Sequence, residues 1–169
     1  MDQTNDILNG NEPREGRNFN PSIAFECQPK IGGYTDDGFC SEEVKIINKK
    51  KKILSLPDIK MSAFTVRVPT PNGHGEAVWV TFDNDVTRDQ IESTLNECSY
   101  IQYLSDEGGK TWHTYKEVSG ESDAFVSRLR KDREFENTWM FWLVADNLYR
   151  GAASNGLLIA ERIFDQLDP

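Results

Sequence analysis

The chain has no apolar run approaching the roughly 18 residues that span a bilayer, and its opening residues lack the apolar core of a secretory signal. The expectation is a soluble cytoplasmic protein with no membrane contact. Histidine is scarce: only His74 and His113 are present. The three cysteines, Cys27, Cys40 and Cys98, are scattered and form no CxxC pair. A metal site has no ligand spacing to support it, and an odd, dispersed set of cysteines fits free thiols in a reducing compartment. Cations are also short, 19 Lys and Arg against 28 Asp and Glu, for a net charge of −9. This excludes nucleic acid as a general partner, because binding a phosphate backbone needs an excess of cations. A small anion held by a few local cations remains open. No GxGxxG fingerprint follows a strand, so a dinucleotide-binding domain is not expected, and there is no internal repeat or low-complexity tract.

What is present suffices for one ordinary domain. The chain has 169 residues, 37% of them hydrophobic and 28% charged, a balance typical of folded globular proteins. The stretch from Ser62 to Phe82 predicts two strands joined by a tight turn. Phe64, Val66 and Val68 alternate with Ala63, Thr65 and Arg67, then Val78, Val80 and Phe82 alternate with Trp79 and Thr81. Between them Pro69 and Pro71 lack a ladder N–H, while Gly73 and Gly75 permit backbone angles that other residues resist. The turn mounts His74 close to Arg67. A lone histidine in such a place serves equally well as a structural residue.

Residues 1–21 are polar and rich in Asn, Gly and Pro, and are expected to be a flexible, loop-like segment, with Ile7 and Leu8 reading as the tail of a helix. Ser22 to Cys27 predicts a short strand. Ser41 is the expected N-cap of a helix running to about Leu54, with Glu42 and Glu43 in the first turn, where carboxylates suit the helix dipole. Val44, Ile47 and Leu54 form its apolar stripe. Glu42, Lys45 and Lys49 lie on another face, with Ile46 and Ile53 intruding. The Lys49–Lys52 run reads as a solvated face rather than a polybasic signal.

Thr87 and Gln90 form a capping-box pattern opening a helix that carries Ile91 and Leu95 inward and ends near Cys98. Tyr100 to Leu104 predicts a strand, and Ser105 to Lys110 a loop. His113 falls in an irregular polar region and reads as a surface residue. Asp123 to Arg130 alternates as a half-buried strand, with Ala124, Val126, Arg128 and Arg130 against Phe125, Ser127 and Leu129. Thr138 to Ala145 is apolar on both faces and predicts a central strand, covered by helices on one side and by tertiary burial or a second subunit on the other. Gly151 to Gly156 opens a last helix. Its Ala153, Leu157, Ala160, Phe164 and Leu167 repeat at helical spacing and predict packing on the sheet. The fold class that follows is α+β, with a mixed, mainly antiparallel sheet covered by helices on one face.

Four stretches in this order resemble the C-terminal catalytic and dimerisation domain of the aspartate-semialdehyde dehydrogenase family. They are Ile23–Gly32, Ser41–Lys45, Ser62–Pro69 with Gly73-His74, and Leu143–Asn155. The resemblance runs from Asn9 to about Asp165 and implies a domain over 22–169 like the C-terminal domain of glyceraldehyde-3-phosphate dehydrogenase. The family uses NADPH to convert L-aspartyl 4-phosphate to aspartate semialdehyde and phosphate, in the route to lysine, threonine and methionine. The resemblance implies that His74 is the acid–base residue, Arg67 the clamp for the substrate carboxylate, and Glu42 and Lys45 the contacts for substrate amine and phosphate. Asn147, Gly151 and Asn155 match the segment against the nicotinamide end of NADP. These residue types suit those tasks, since a planar guanidinium grips a carboxylate with two bonds and imidazole is the usual proton carrier in catalysis.

The resemblance also places the family's nucleophilic cysteine and Rossmann domain upstream of the matched region, and none of Cys27, Cys40 or Cys98 falls at the nucleophile's position. Two readings follow. In the first, the chain is the substrate-binding and dimerising part of the dehydrogenase, a homodimer that takes an amino-acid phosphate and needs a separately encoded or missing Rossmann half, so that NADP is not expected to bind tightly to this chain alone. In the second, it is a non-catalytic homodimerising module, a degenerate paralogue or gene fragment.

Overall fold

The computed structural model describes residues 2–16, 19–105, 111–149 and 154–165. The chain divides into two compact units, Met1–Pro69 and Thr70–Pro169.

The first unit opens with helix α1, Asp2–Leu8, where the sequence predicted mostly loop. Its buried Asp6 carboxylate accepts from Arg14 Nε at 2.7 Å, Nη2 at 2.6 Å and the Arg14 backbone N–H at 3.1 Å. These bonds lower the Asp6 pKa to about 2. A composition rich in Asn, Gly and Pro hides such a contact, because eight residues separate the partners.

Helix α2 spans Ser41–Ile53, and its N-cap is Cys40 rather than Ser41. The Cys40 N–H donates to Glu43 Oε2 at 2.8 Å, so the third helical residue does the capping that a serine hydroxyl was expected to do. Gly32, at φ +87, lies against this start, and a Cβ there would collide with Ser41 Oγ. The helix ends at Leu54, as predicted. The two strands predicted at 22–27 and 62–68 do not form ladders. Residues 24–25 make a turn instead, with Phe25 at φ 61. A single antiparallel bridge joins Gln28 to Arg67, with Gln28 N to Arg67 O at 2.9 Å and Arg67 N to Gln28 O at 2.8 Å. The Thr65 N–H is taken by Glu43 Oε1 at 2.8 Å, and Phe64 stands 77% exposed. Period-2 alternation reports extended backbone, and it does not say whether a partner strand is on hand.

The second unit is built on four strands, β1 (His74–Thr81), β2 (Ile101–Leu104), β3 (Ala124–Lys131) and β4 (Thr138–Ala145), in the order β1-β4-β3-β2. The β1–β4 and β4–β3 pairs are antiparallel and β3–β2 is parallel, the mixed, mainly antiparallel sheet that was expected. β4 is central, and its two apolar faces explain why. One face carries Trp139, Phe141 and Leu143 alongside Val126 and Tyr103 in register. Helix α3, Arg88–Glu97, lies on this face. The predicted capping box opens it, with Gln90 N to Thr87 Oγ1 at 3.3 Å and Thr87 N to Gln90 Oε1 at 2.9 Å. It is tied to the sheet by Tyr103 Oη to Glu92 at 2.7 Å and Arg88 Nη2 to Leu129 O at 2.7 Å. On the other face Tyr115 meets Trp142 edge-on, and the Trp142 indole donates to His113 O at 3.2 Å. His113 is half-buried there, its ring 4.8 Å from Phe125, and is not the surface residue expected.

Two further expectations fail in this unit. The alternation predicted for β3 breaks at Arg128, which sits at φ 58 where the β3–β4 register shifts between Ser127 and Arg130. Helix α4, Ser154–Asp165, does not bury its apolar residues on the sheet, because Leu157 is 66% and Phe164 68% exposed. Helical periodicity marks a face able to be buried without naming what buries it. Ala153, Leu167 and the loop at 106–110 lie outside the described residues.

Candidate functional site

The residues that sequence reading nominated fall in both units. In the first, Glu42 and Lys45 lie one turn apart on α2, and Lys45 Nζ meets Glu42 Oε2 at 3.0 Å. Both side chains are substantially open to solvent, so the pair is worth only about 0.2–0.5 kcal/mol. Ile46 beside them is half-buried, whereas Ile53 is 77% exposed.

Arg67 is fixed at two levels. Its backbone is pinned by both bonds of the Gln28 bridge, and its guanidinium carbon lies over the Phe19 ring, 5.2 Å from the centroid. Among the described residues no carboxylate pairs with it. Glu43, which the sequence did not nominate, is with Asp6 one of two buried acids among the described residues of this unit. The N–H groups of Cys40 and Thr65 hold its carboxyl below the usual range. That makes Glu43 a structural anion. The second acid of Glu42-Glu43 faces inward and the first outward.

In the second unit His74 is the first residue of β1, paired across the ladder with Ala145 and exposed. The sequence placed it in the turn; the structure places it where turn becomes strand. Glycines flank it for different reasons. Gly73 has φ +92, and a Cβ there would come within 3.2 Å of Ala145 O and of the Tyr115 ring. At Gly75 a Cβ would enter the Trp142 indole and fall 2.5 Å from the Tyr115 hydroxyl. The Trp142 indole therefore lies directly on the β1 backbone next to His74.

Asn147, nominated as a cofactor contact, accepts the Gly73 N–H on its Oδ1 at 2.7 Å. Asn155 stands exposed in the first turn of α4, and Gly151 lies outside the described residues. Asn147 and Asn155 carry amides, groups able to pair with a carboxamide such as that of nicotinamide. Among the described residues the mainly antiparallel sheet offers no glycine-rich strand-to-helix turn for a pyrophosphate.

Of the cysteines, Cys27 is exposed, Cys40 buried and Cys98 half-buried, all as free thiols. The burial of Cys40 removes the one thiol that sits at a helix start. Among the described residues no cluster of three or more His, Cys, Asp or Glu could hold a metal ion, and no helix is long and apolar enough to cross a membrane.

The second unit, a mainly antiparallel sheet with helix α3 on one face, has an α+β fold. The sequence pattern of the semialdehyde dehydrogenase dimerisation domain matches residues 1–150, and the chain belongs to that family. It is 36% identical over 168 residues to aspartate-semialdehyde dehydrogenase of Bacillus subtilis, covering 95% of this chain and 49% of that protein. The enzyme of Aquifex aeolicus is 31% identical over 159 residues, covering 94% and 47%. Among solved structures, aspartate semialdehyde dehydrogenase II from Vibrio cholerae, complexed with ASA, superposes with a TM-score of 0.87 at 33% identity, over 94% of this chain and 46% of that one. The enzyme from Francisella tularensis shares the fold, with a TM-score of 0.75 at 22% identity. The chain thus spans about half the length of the curated relatives it matches.

Proposed function

We propose that this chain is the substrate-binding and dimerisation part of an aspartate-semialdehyde dehydrogenase, working in the NADPH-dependent conversion of L-aspartyl 4-phosphate to aspartate semialdehyde and phosphate. The observation that carries this reading is Arg67. In a chain with 28 acids and 19 bases, a guanidinium lying over Phe19 and unpaired with any carboxylate among the described residues is a prepared receptor for a carboxylate from elsewhere.

The roles follow from the chemistry of each side chain. Arg67 grips the substrate carboxylate with two parallel N–H···O bonds. Glu42 takes the substrate ammonium and Lys45 the phosphate, their mutual ion pair opening as they do. His74 takes up and returns the proton of the reacting group. NADPH, when bound, supplies the hydride; Asn147 and Asn155 are offered to its nicotinamide amide, and the rest of the dinucleotide and the attacking cysteine belong to a partner segment, in this polypeptide or another. The assembled protein acts as a homodimer in the cytoplasm.

The test is reconstitution. The chain is mixed with a cysteine-bearing Rossmann half, and phosphate-dependent NADPH formation from aspartate semialdehyde is followed. A rate well above either half alone is expected, abolished by Arg67→Ala and by His74→Asn. No rate above the halves would sink the enzymatic reading and leave the non-catalytic module. The match to a dimerisation domain favours self-association under both readings, and a sedimenting monomer at all concentrations would count against it.

A further inference from the structure

The position of His74 depends on Asp146, a residue that carries no assigned role. The turn before it is poor in backbone bonding capacity, since Pro69 and Pro71 have no N–H to donate. His74 is also the terminal residue of β1, which lies at the edge of the sheet, and strand ends fray first. Something else must hold the imidazole in place.

Two consecutive residues after β4 do so by holding the two residues before His74. Asp146, 1% exposed, accepts on Oδ2 from Asn72 Nδ2 at 2.7 Å and from the Gly120 N–H at 2.8 Å, and on Oδ1 from the Leu148 N–H at 2.8 Å. Asn147 Oδ1 accepts from the Gly73 N–H at 2.7 Å. Asn72 is further tied to Ser119, Nδ2 to Oγ at 3.1 Å. The two bonds run in step, 146 to 72 and 147 to 73, and the next residue of the turn is His74, opposite Ala145 in the ladder.

We propose that Asp146 is a positioning residue for His74, acting through Asn72 and seconded by Asn147, so that the buried carboxylate fixes where the imidazole stands for proton transfer. This rests on the catalytic reading of His74 given above. The carboxylate suits the task because all its bonds come from N–H donors. These bonds, led by that from Gly120, keep its pKa below the usual carboxylate range, so it remains a charged acceptor at neutral pH. Asp146 touches no substrate, so its removal should misplace the proton carrier without weakening the carboxylate clamp at Arg67.

The experiment uses the full chain with Asn72→Ala and, separately, Asp146→Asn. Asn72→Ala leaves the two backbone bonds of Asp146 in place, so a folding failure of Asp146→Asn does not end the test. With only two histidines in the chain, the ring signals of His74 and His113 are read side by side by NMR. The expected result is a shifted or broadened His74 signal with His113 unchanged. In the reconstituted enzyme, kcat should fall by about ten- to a hundredfold, the scale of a misplacement of about 1 Å, with KM for aspartate semialdehyde within about twofold. A His74 signal superposable on the wild type in Asn72→Ala would overturn the proposal, as would a kcat unchanged in both variants. So would equal disturbance of both histidines, the mark of a general loss of structure. If His74→Asn proves fully active, the catalytic reading fails instead, and the NMR comparison still decides whether Asp146 positions the ring.

Discussion

Ser127 and Leu129, two positions apart on β3, are both fully buried yet belong to opposite faces of the sheet. Ser127 is opposite Trp142 and Arg130 opposite Met140. Counting back from Arg130, Leu129 lands on the face that holds α3. The extra residue is Arg128, in the left-handed region at φ 58. This bulge turns a leucine from one face to the other.

The first prediction tests that strain. A non-glycine residue in the left-handed region costs about 1–2 kcal/mol. Arg128→Gly is therefore expected to be neutral or to raise stability by up to about 1 kcal/mol, whereas Arg128→Val should lower it. Urea denaturation of the two variants, compared with the wild type, should give shifts of opposite sign or a clear gap between them.

Leu129 itself, 0% exposed, carries the reward of the bulge. Leu129→Ala should cost about 2–5 kcal/mol through lost burial and the cavity left under α3. A loss under about 1 kcal/mol would mean that the core closes over the gap and that the bulge serves some other end.

Glu43 gives a pH dependence whose sign can be worked out. Bonds from Cys40 and Thr65 depress its folded-state pKa. The ionised form is therefore the one that folding favours, and this contribution is present above the unfolded value of about 4.3 and is lost as pH falls through the lower folded value. Glu43→Gln should accordingly be less stable than the wild type at neutral pH, with the gap narrowing as the solution is acidified below about pH 4. Thermal melts of the pair across that range decide it; a gap independent of pH would show that charge plays no part.

Tyr103 titrates in the other direction. Burial, followed by its bond to Glu92, pushes the phenol up to about 12. The neutral form is favoured by folding, so this contribution holds below the unfolded value of about 10 and disappears as pH rises towards the folded one. Phenolate absorbance should show one tyrosine ionising well after the others, and Glu92→Gln should bring it forward.

Much of the second unit was legible because its signals are local. The Thr87–Gln90 box, the two-faced apolarity of Thr138 to Ala145 and the alternation through Val78 and Val80 each need only a short window of sequence. What escaped depended on distant partners. The strands predicted at 22–27 and 62–68 met only at Gln28 and Arg67. Whether alternating residues form a ladder depends on a neighbour that the window does not contain. Among the site residues, the identities of His74 and Arg67 could be read, but their supports could not. Phe19 under Arg67 lies 48 places away in the chain, by subtraction of their numbers, and Asp146 reaches Asn72 across 74. The one local hint was Asp146-Asn147 at a strand end, where Asx side chains readily capture backbone N–H groups.

The strand order also sets a timetable for synthesis. Among the described residues β1 pairs with β4 and with no other strand, and Thr81 and Thr138, bonded through their hydroxyls at 2.8 Å, are 57 residues apart. As the chain leaves the ribosome, β1 has nothing to pair with until the whole of β2, α3 and β3 has followed. Its apolar residues, Val78, Trp79 and Val80, wait unprotected over that interval. Long-range pairing of this kind slows folding and prolongs exposure to aggregation. The His74 end of the sheet is thus completed only when the segment carrying Asp146 has emerged.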